Sequence, residues 1–229
     1  MQTIAEISGE IMSDRLIRHN VYDRLRADIL SCALQPGQEF REGDLADRFG
    51  VSKSPIRDAL QRLELEGLIE IEPRRGHRVA PISVADARDI LAMREILEVG
   101  AARAIVVSAS ESDLQAFDRF REAPTHEMKA FADYNRDFHL SLCDAAGNRR
   151  LANSAEQLME NYDRLCIVSL SASSASEAAN MADALADHVA IIDALQARNA
   201  AHAARAITRH IQTSRRRVMR GLESRPIIA

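Results

Sequence analysis

No stretch of this 229-residue sequence approaches the ~20 consecutive apolar residues that a membrane-crossing helix requires. The first fourteen residues carry neither the basic flank nor the apolar run of a secretory signal, so a cytoplasmic protein is expected. Cysteine is scarce: Cys32, Cys143 and Cys166 are odd in number, far apart and in no ligand pair, which fits reduced thiols rather than disulfides. Lysine is nearly absent, 28 of the 30 basic residues being Arg, and no His-Glu-x-x-His stands ready to give a metal site a general base. A basic excess is missing too. The net charge is -4, and residues 1–80 hold 12 basic against 14 acidic side chains, so a nucleic-acid role has to rest on local placement of charge.

What is present is helical periodicity. Ile17, Val21, Leu25 and Ile29 recur every fourth position and predict a helix from Arg15 to Ala33, closed by Leu34-Gln35-Pro36-Gly37. A short helix follows from Gly43 to Phe49, burying Leu45, Ala46 and Phe49 and broken by Gly50, with Val51 continuing the core. Ser52 or Ser54 then caps a third helix with Pro55 in its first turn and Ile56, Ala59, Leu60 and Leu63 inward. After Gly67 the period changes to two in Leu68-Ile69-Glu70-Ile71-Glu72. A Pro73-Arg74-Arg75-Gly76 turn leads into His77-Arg78-Val79-Ala80, a hairpin. On the third helix Lys53, Ser54, Arg57 and Gln61 oppose the apolar stripe and could donate to phosphates and guanine edges. Each alone equally fits a solvated face, but two short helices, a polar-faced third and an Arg-tipped hairpin together make a DNA-binding winged helix-turn-helix.

Beyond Pro81 the pattern is almost wholly helical, with a capping-box-like Ser83-Val84-Ala85-Asp86 and six helices expected at roughly 84–107, 111–121, 126–146, 149–170, 176–198 and 200–221. The fold class is therefore mainly α: a winged helix-turn-helix over 15–81 behind a flexible arm (1–14), an all-α bundle over 82–222, and a tail (223–229). In the bundle, Asn135 and His139 share one helix face at i, i+4, and His188 and His210 stand on two later helices. Such a set suits a borderline divalent ion such as Zn²⁺ or Ni²⁺, or else histidines satisfied by hydrogen bonds. Arg94 falls on or beside a buried face, where it is either an anion anchor or the i, i+4 partner of Glu98.

The segments VYDRLRADIL, LQPGQEF, LADRFGVSKSPIRDALQRLELEGLIEI and RRGHRV, across Val21 to Pro81, resemble the GntR family of bacterial regulators. That resemblance implies that Ser52, Lys53, Ser54 and Arg57 contact DNA from the recognition helix, with Gly76 and His77 at the wing tip beside Arg74 and Arg75. Where some members use an Arg early in the second helix, Gly43 stands here. MREILE at Met93, NRDFHLSLCDAAGNRRL at Asn135, DHVAIIDAL at Asp187 and RHI at Arg209 resemble the FCD ligand-binding domain of the FadR subfamily, six helices favouring its VanR-like form. The family's Asp-x3-His and two later histidines map onto Asn135, His139, His188 and His210, with Asn in place of Asp. The implied protein is a homodimeric transcription regulator on a palindromic operator, responsive to a small organic or sugar acid at the metal. Alternatives are a regulator for which the metal is the signal, and a metal-dependent hydrolase, which leaves the N-terminal module unexplained.

Overall fold

A computed structural model of the protein describes residues 4–125, 127–170 and 177–223, which form two compact units meeting between Ile82 and Ser83. The first opens with α1 (Ile4–Leu30), whose Val21, Leu25 and Ile29 are buried while Ile17, at the end of the stripe, is 40% exposed. This helix starts at Ile4 and not at Arg15: once nucleated, each further residue adds one hydrogen bond, and no proline interrupts this segment. α2 (Glu42–Phe49) ends on left-handed Gly50, whose N–H returns to the carbonyls of Ala46 and Asp47. α3 (Lys53–Leu65) follows with Ser52 at its N-cap position, although no serine hydroxyl caps it. Pro55, Ile56, Ala59, Leu60 and Leu63 face inward, and with Leu25, Ile29, Leu45 and Leu68 they form this unit's core.

The expected hairpin is present as β2 (Ile69–Glu72) and β3 (Gly76–Val79), with Glu72 opposite Gly76 and Ile69 opposite Val79. A third strand, β1 (Glu39–Phe40), pairs antiparallel on the other side of β3, giving the order β1-β3-β2. Gly76 is required there: its φ is +116°, and a Cβ would lie 2.7 Å from the carbonyl oxygen of Phe40 in β1.

The second unit contains α4 (Val84–Ser108), α5 (Glu111–Gln115), α6 (Met128–Asp144), α7 (Arg149–Leu170), α8 (Glu177–Gln196) and α9 (Ala200–Glu223). The Ser83 hydroxyl caps α4 by accepting from the Asp86 N–H, and Ser110 with Asp113 forms a full capping box on α5. The expected helix over 111–121 turns into a 3-10 helix at Ala116–Phe120, which tucks Phe117 and Phe120 inward. α4 packs against α6, α7 and α9 through Ala87, Leu91, Ala101, Ala102 and Ile105, small and branched residues that admit close helix approach. Arg198, at φ +50°, donates to the carbonyls of Val106 and Ala109 and so closes the C-terminal end of α4. Residues 224–229 of the expected tail, residues 1–3 of the expected arm and most of the serine-rich break at 169–176 lie outside the described residues. Among the described residues no helix is long and apolar enough to cross a membrane.

Candidate metal centre and nucleic-acid interface

Three of the four residues expected to hold a metal converge. His139 of α6, His188 of α8 and His210 of α9 are each at most 2% exposed, and one ring nitrogen from each lies within 4.8 Å of the others. Stacking sets the rings: Phe138 lies 4.0 Å from His188 at an interplanar angle of 20°, and His139 stacks on His210 at 5.1 Å. The Nδ1 atoms are all engaged. His139 Nδ1 lies 2.9 Å from a Glu98 carboxylate oxygen, and His210 Nδ1 lies 3.5 Å from Asp187. His188 Nδ1 lies 3.0 Å from the Tyr134 hydroxyl, which donates its one proton to the Phe120 carbonyl at 2.8 Å and must therefore accept from His188. Each Nδ1 thus carries the hydrogen, and each Nε2 keeps its lone pair.

Those three Nε2 atoms are buried and have no hydrogen-bond partner among the described residues. Burial, reinforced by the positive charge of Arg94, holds His139 and His188 well below the ordinary imidazole pKa; burial also lowers His210, against the pull of Asp187. Neutral rings with free Nε2 lone pairs, each oriented by a partner on the other nitrogen, are the donor set a divalent transition ion takes. The residues present therefore fit such an ion. Asn135, one turn before His139, is half-buried and borders a cavity of about 110 Å³ that His210, Tyr162, Cys166 and Arg217 also line.

Arg94 forms the i, i+4 ion pair with Glu98. It is 1% exposed, its Nε donates to Glu98 at 2.6 Å, and its guanidinium carbon lies 4.3 Å from the centre of the Tyr162 ring. Burial opposes its charge, but the Glu98 carboxylate more than offsets this and raises its pKa. Among the described residues the two terminal nitrogens have no hydrogen-bond partner, so a planar fork remains free of them in a buried place. Glu98 links the two groups, one oxygen taken by Arg94 and the other by His139.

In the first unit Ser52, Lys53, Ser54 and Arg57 are all exposed on or before the first turns of α3, and Arg74 and Arg75 are exposed in the hairpin turn, Arg74 at φ +70°. Gly76 and His77 sit differently from a free tip. Both belong to β3, and His77 stacks on Phe40 with its side chain only 15% exposed. A Cβ at Gly43 would lie 3.9 Å from Lys53 Cε, an ordinary van der Waals contact. Arg57 is engaged: its Nε lies 2.8 Å from Glu42 Oε2, and Glu42 Oε1 lies 3.8 Å from His77 Nε2. Arg75 lies 3.6 Å from Glu39.

Sequence reasoning missed the groups that hold others in place. Glu42 carries no motif of its own at the start of α2. Tyr134 and Asp187 each sit directly before an expected ligand or its partner, Asn135 and His188, and that adjacency was the available signal.

The model described as bacterial regulatory proteins, gntR family, matches residues 17–79, and the FCD domain model matches residues 89–213. The chain is 30% identical over 201 residues to the HTH-type transcriptional repressor RspR of Escherichia coli strain K12, covering 86% of each chain. It is 31% identical over 218 residues to the uncharacterized HTH-type transcriptional regulator BphR of Paraburkholderia xenovorans, covering 89% of this chain and 86% of that one. Among solved structures, E. coli McbR/YncC superimposes with a TM-score of 0.73 at 20% identity over 90% of this chain and 98% of the other, a likeness of fold.

Proposed function

Because the chain belongs to the gntR family of bacterial regulatory proteins and carries an FCD domain, we propose that it is a transcription regulator whose operator affinity is set by a small organic or sugar acid bound at a divalent metal. Its relatives are transcriptional regulators rather than enzymes. One observation carries the sensing half: three buried imidazoles from three helices bring one ring nitrogen each within 4.8 Å of the others, and among the described residues their Nε2 atoms have no partner while every Nδ1 is engaged. In a cluster that served hydrogen bonding alone, a buried acceptor left without a donor would cost about 1–3 kcal/mol each. His139, His188 and His210 would hold the ion, with the Asn135 amide oxygen from the cavity wall as a fourth donor. When bound, Zn²⁺ or Ni²⁺ supplies Lewis-acidic positions for an anionic oxygen.

The donors also argue for an acid. Three imidazoles and an amide bring no charge, the Glu98 carboxylate is already balanced by Arg94, and Asp187, beside His210, is paired with Arg209. A dication among them keeps its charge uncompensated in a buried place, and an anionic effector that also takes up the free Arg94 fork relieves this. At the other end Ser52, Lys53, Ser54 and Arg57 read and clamp the operator from α3, and Arg74, Arg75, Gly76 and His77 approach it from the wing. A homodimer reads two half-sites of a palindrome.

Elemental analysis of purified protein tests the metal, and thermal-shift screening of organic and sugar acids followed by gel shifts tests the effector. A bound divalent ion and an acid that changes DNA affinity at least tenfold are expected, which requires a differential affinity of about 1.4 kcal/mol between the two states. Arg94→Lys keeps a cation for Glu98 but lacks the planar fork, so it should bind DNA and lose the response. Absence of metal after incubation with Zn²⁺, Ni²⁺ and Mn²⁺ overturns the metal centre. An acid acting equally on Arg94→Lys overturns the anchor, and a response to metal without any acid makes the ion itself the signal.

A further inference from the structure

We infer that Glu42 is a positioning residue for sequence reading: it fixes the guanidinium of Arg57 so that only the paired terminal nitrogens face the DNA. This rests on the proposal that Arg57 contacts the operator. The observation is the division of labour on one side chain. Arg57 Nε donates to Glu42 Oε2 at 2.8 Å, and its two terminal nitrogens have no partner among the described residues. A guanine presents O6 and N7 as two acceptors side by side, matched by the terminal fork of an arginine held at a fixed angle. An arginine on an exposed helix surface, free to rotate about its side-chain torsions, loses entropy on docking and can as readily settle on a phosphate. Holding Nε in advance removes both alternatives.

Glu42 is itself well held for this. It occupies the first turn of α2, where the helix dipole favours a carboxylate, and its side chain is 26% exposed against 61% for Arg57. Its second oxygen lies 3.8 Å from His77 Nε2 in β3, and His77 is stacked on Phe40 of β1. The carboxylate thus stands between the recognition helix and the wing strand, tying the orientation of Arg57 to the sheet. A carboxylate on a DNA-facing surface repels phosphate, so its presence calls for a return other than affinity, and discrimination between bases is that return.

The test uses full-length protein and the duplex that wild-type protein selects from a randomised library, with an unrelated duplex alongside. Glu42→Ala should weaken binding to the selected duplex about tenfold while leaving or slightly raising affinity for the unrelated one, and Glu42→Gln, which keeps an acceptor for Nε, should restore most of the loss. Discrimination should vanish at one guanine per half-site, the same one whose replacement no longer matters to Arg57→Ala. The double variant Glu42→Ala, Arg57→Ala should bind no worse than Arg57→Ala alone. If Glu42→Ala tightens both duplexes equally, Glu42 is only a repelling charge and the inference is overturned. If Arg57→Ala keeps full discrimination, the assignment of Arg57 fails first and the inference with it; unchanged thermal melting of each variant excludes a folding defect as the cause.

Discussion

Replacing Glu98 by Ala removes one carboxylate that serves two buried partners, and the size of the effect follows from what is left behind. Arg94 is 1% exposed, and among the described residues its Nε has no acceptor other than Glu98. Its charge cannot be shed, since arginine does not deprotonate at accessible pH. Breaking a buried pair by removing one member costs about 3–5 kcal/mol, because the survivor is desolvated and unpaired. For a helical unit of roughly 140 residues each kcal/mol lowers the melting temperature by about 3 °C, so Glu98→Ala should melt about 10–15 °C below the wild type. Arg94→Met added to Glu98→Ala should recover most of that loss, since the unpaired charge goes with it. The same substitution frees His139 Nδ1, and loss of such a partner typically weakens a metal site by about 10–100-fold. Differential scanning calorimetry of metal-free protein reads the first effect and competition with a fluorescent chelator reads the second. A metal-free Glu98→Ala protein melting within 3 °C of wild type would refute the assignment of Arg94 as a buried, Glu98-dependent charge.

His188→Ala and His139→Ala should abolish stoichiometric metal binding while leaving the far-ultraviolet circular dichroism helical, whereas Asn135→Asp should tighten the ion and lessen its dependence on an acid, as read by isothermal titration with and without that acid. Gly76→Ala should destabilise the first unit by about 2–3 kcal/mol, seen as a lower denaturation midpoint, because a Cβ there meets the Phe40 carbonyl at 2.7 Å and the backbone φ is +116°. Arg57→Ala should weaken specific binding by about 1–3 kcal/mol without a change in melting temperature; equal loss on all duplexes would mark it as a phosphate contact.

Much of the architecture was legible because it is written in periods. The every-fourth spacing of Val21, Leu25 and Ile29 and the inward set Ile56, Ala59, Leu60 and Leu63 are buried as the pattern demands. β1 was not legible, since two residues cannot display a period and their pairing with β3 is made by backbone alone. The 3-10 turn at Ala116–Phe120 escaped for a related reason: the three-residue spacing of Leu114, Phe117 and Phe120 fits either helix type. The site divides in the same way. His139, His188 and His210 were visible as residues able to ligate, but their meeting depends on how α6, α8 and α9 pack, which spacing along the chain does not encode. The partners on the far nitrogens were less visible still. Glu98, Tyr134 and Asp187 are common residues made specific only by what they touch, and Glu42 owes its interest wholly to Arg57 and His77.

The three imidazoles are far apart along the chain, at positions 139, 188 and 210. An ion joining them would act as a covalent cross-link does, closing one loop of about 50 residues and another of about 20. By the chain-entropy relation for cross-links, each closure withdraws freedom from the unfolded chain equivalent to roughly 3–4 kcal/mol, less whatever ion the unfolded chain retains. That is a sizeable fraction of the ~5–15 kcal/mol that keeps a typical domain folded. On the proposed reading, a cell short of the metal would not only hold a regulator deaf to its effector; it would hold less of it, because the metal-free chain unfolds more often and is cleared by proteases. Metal supply would then set the number of regulator molecules as well as their state.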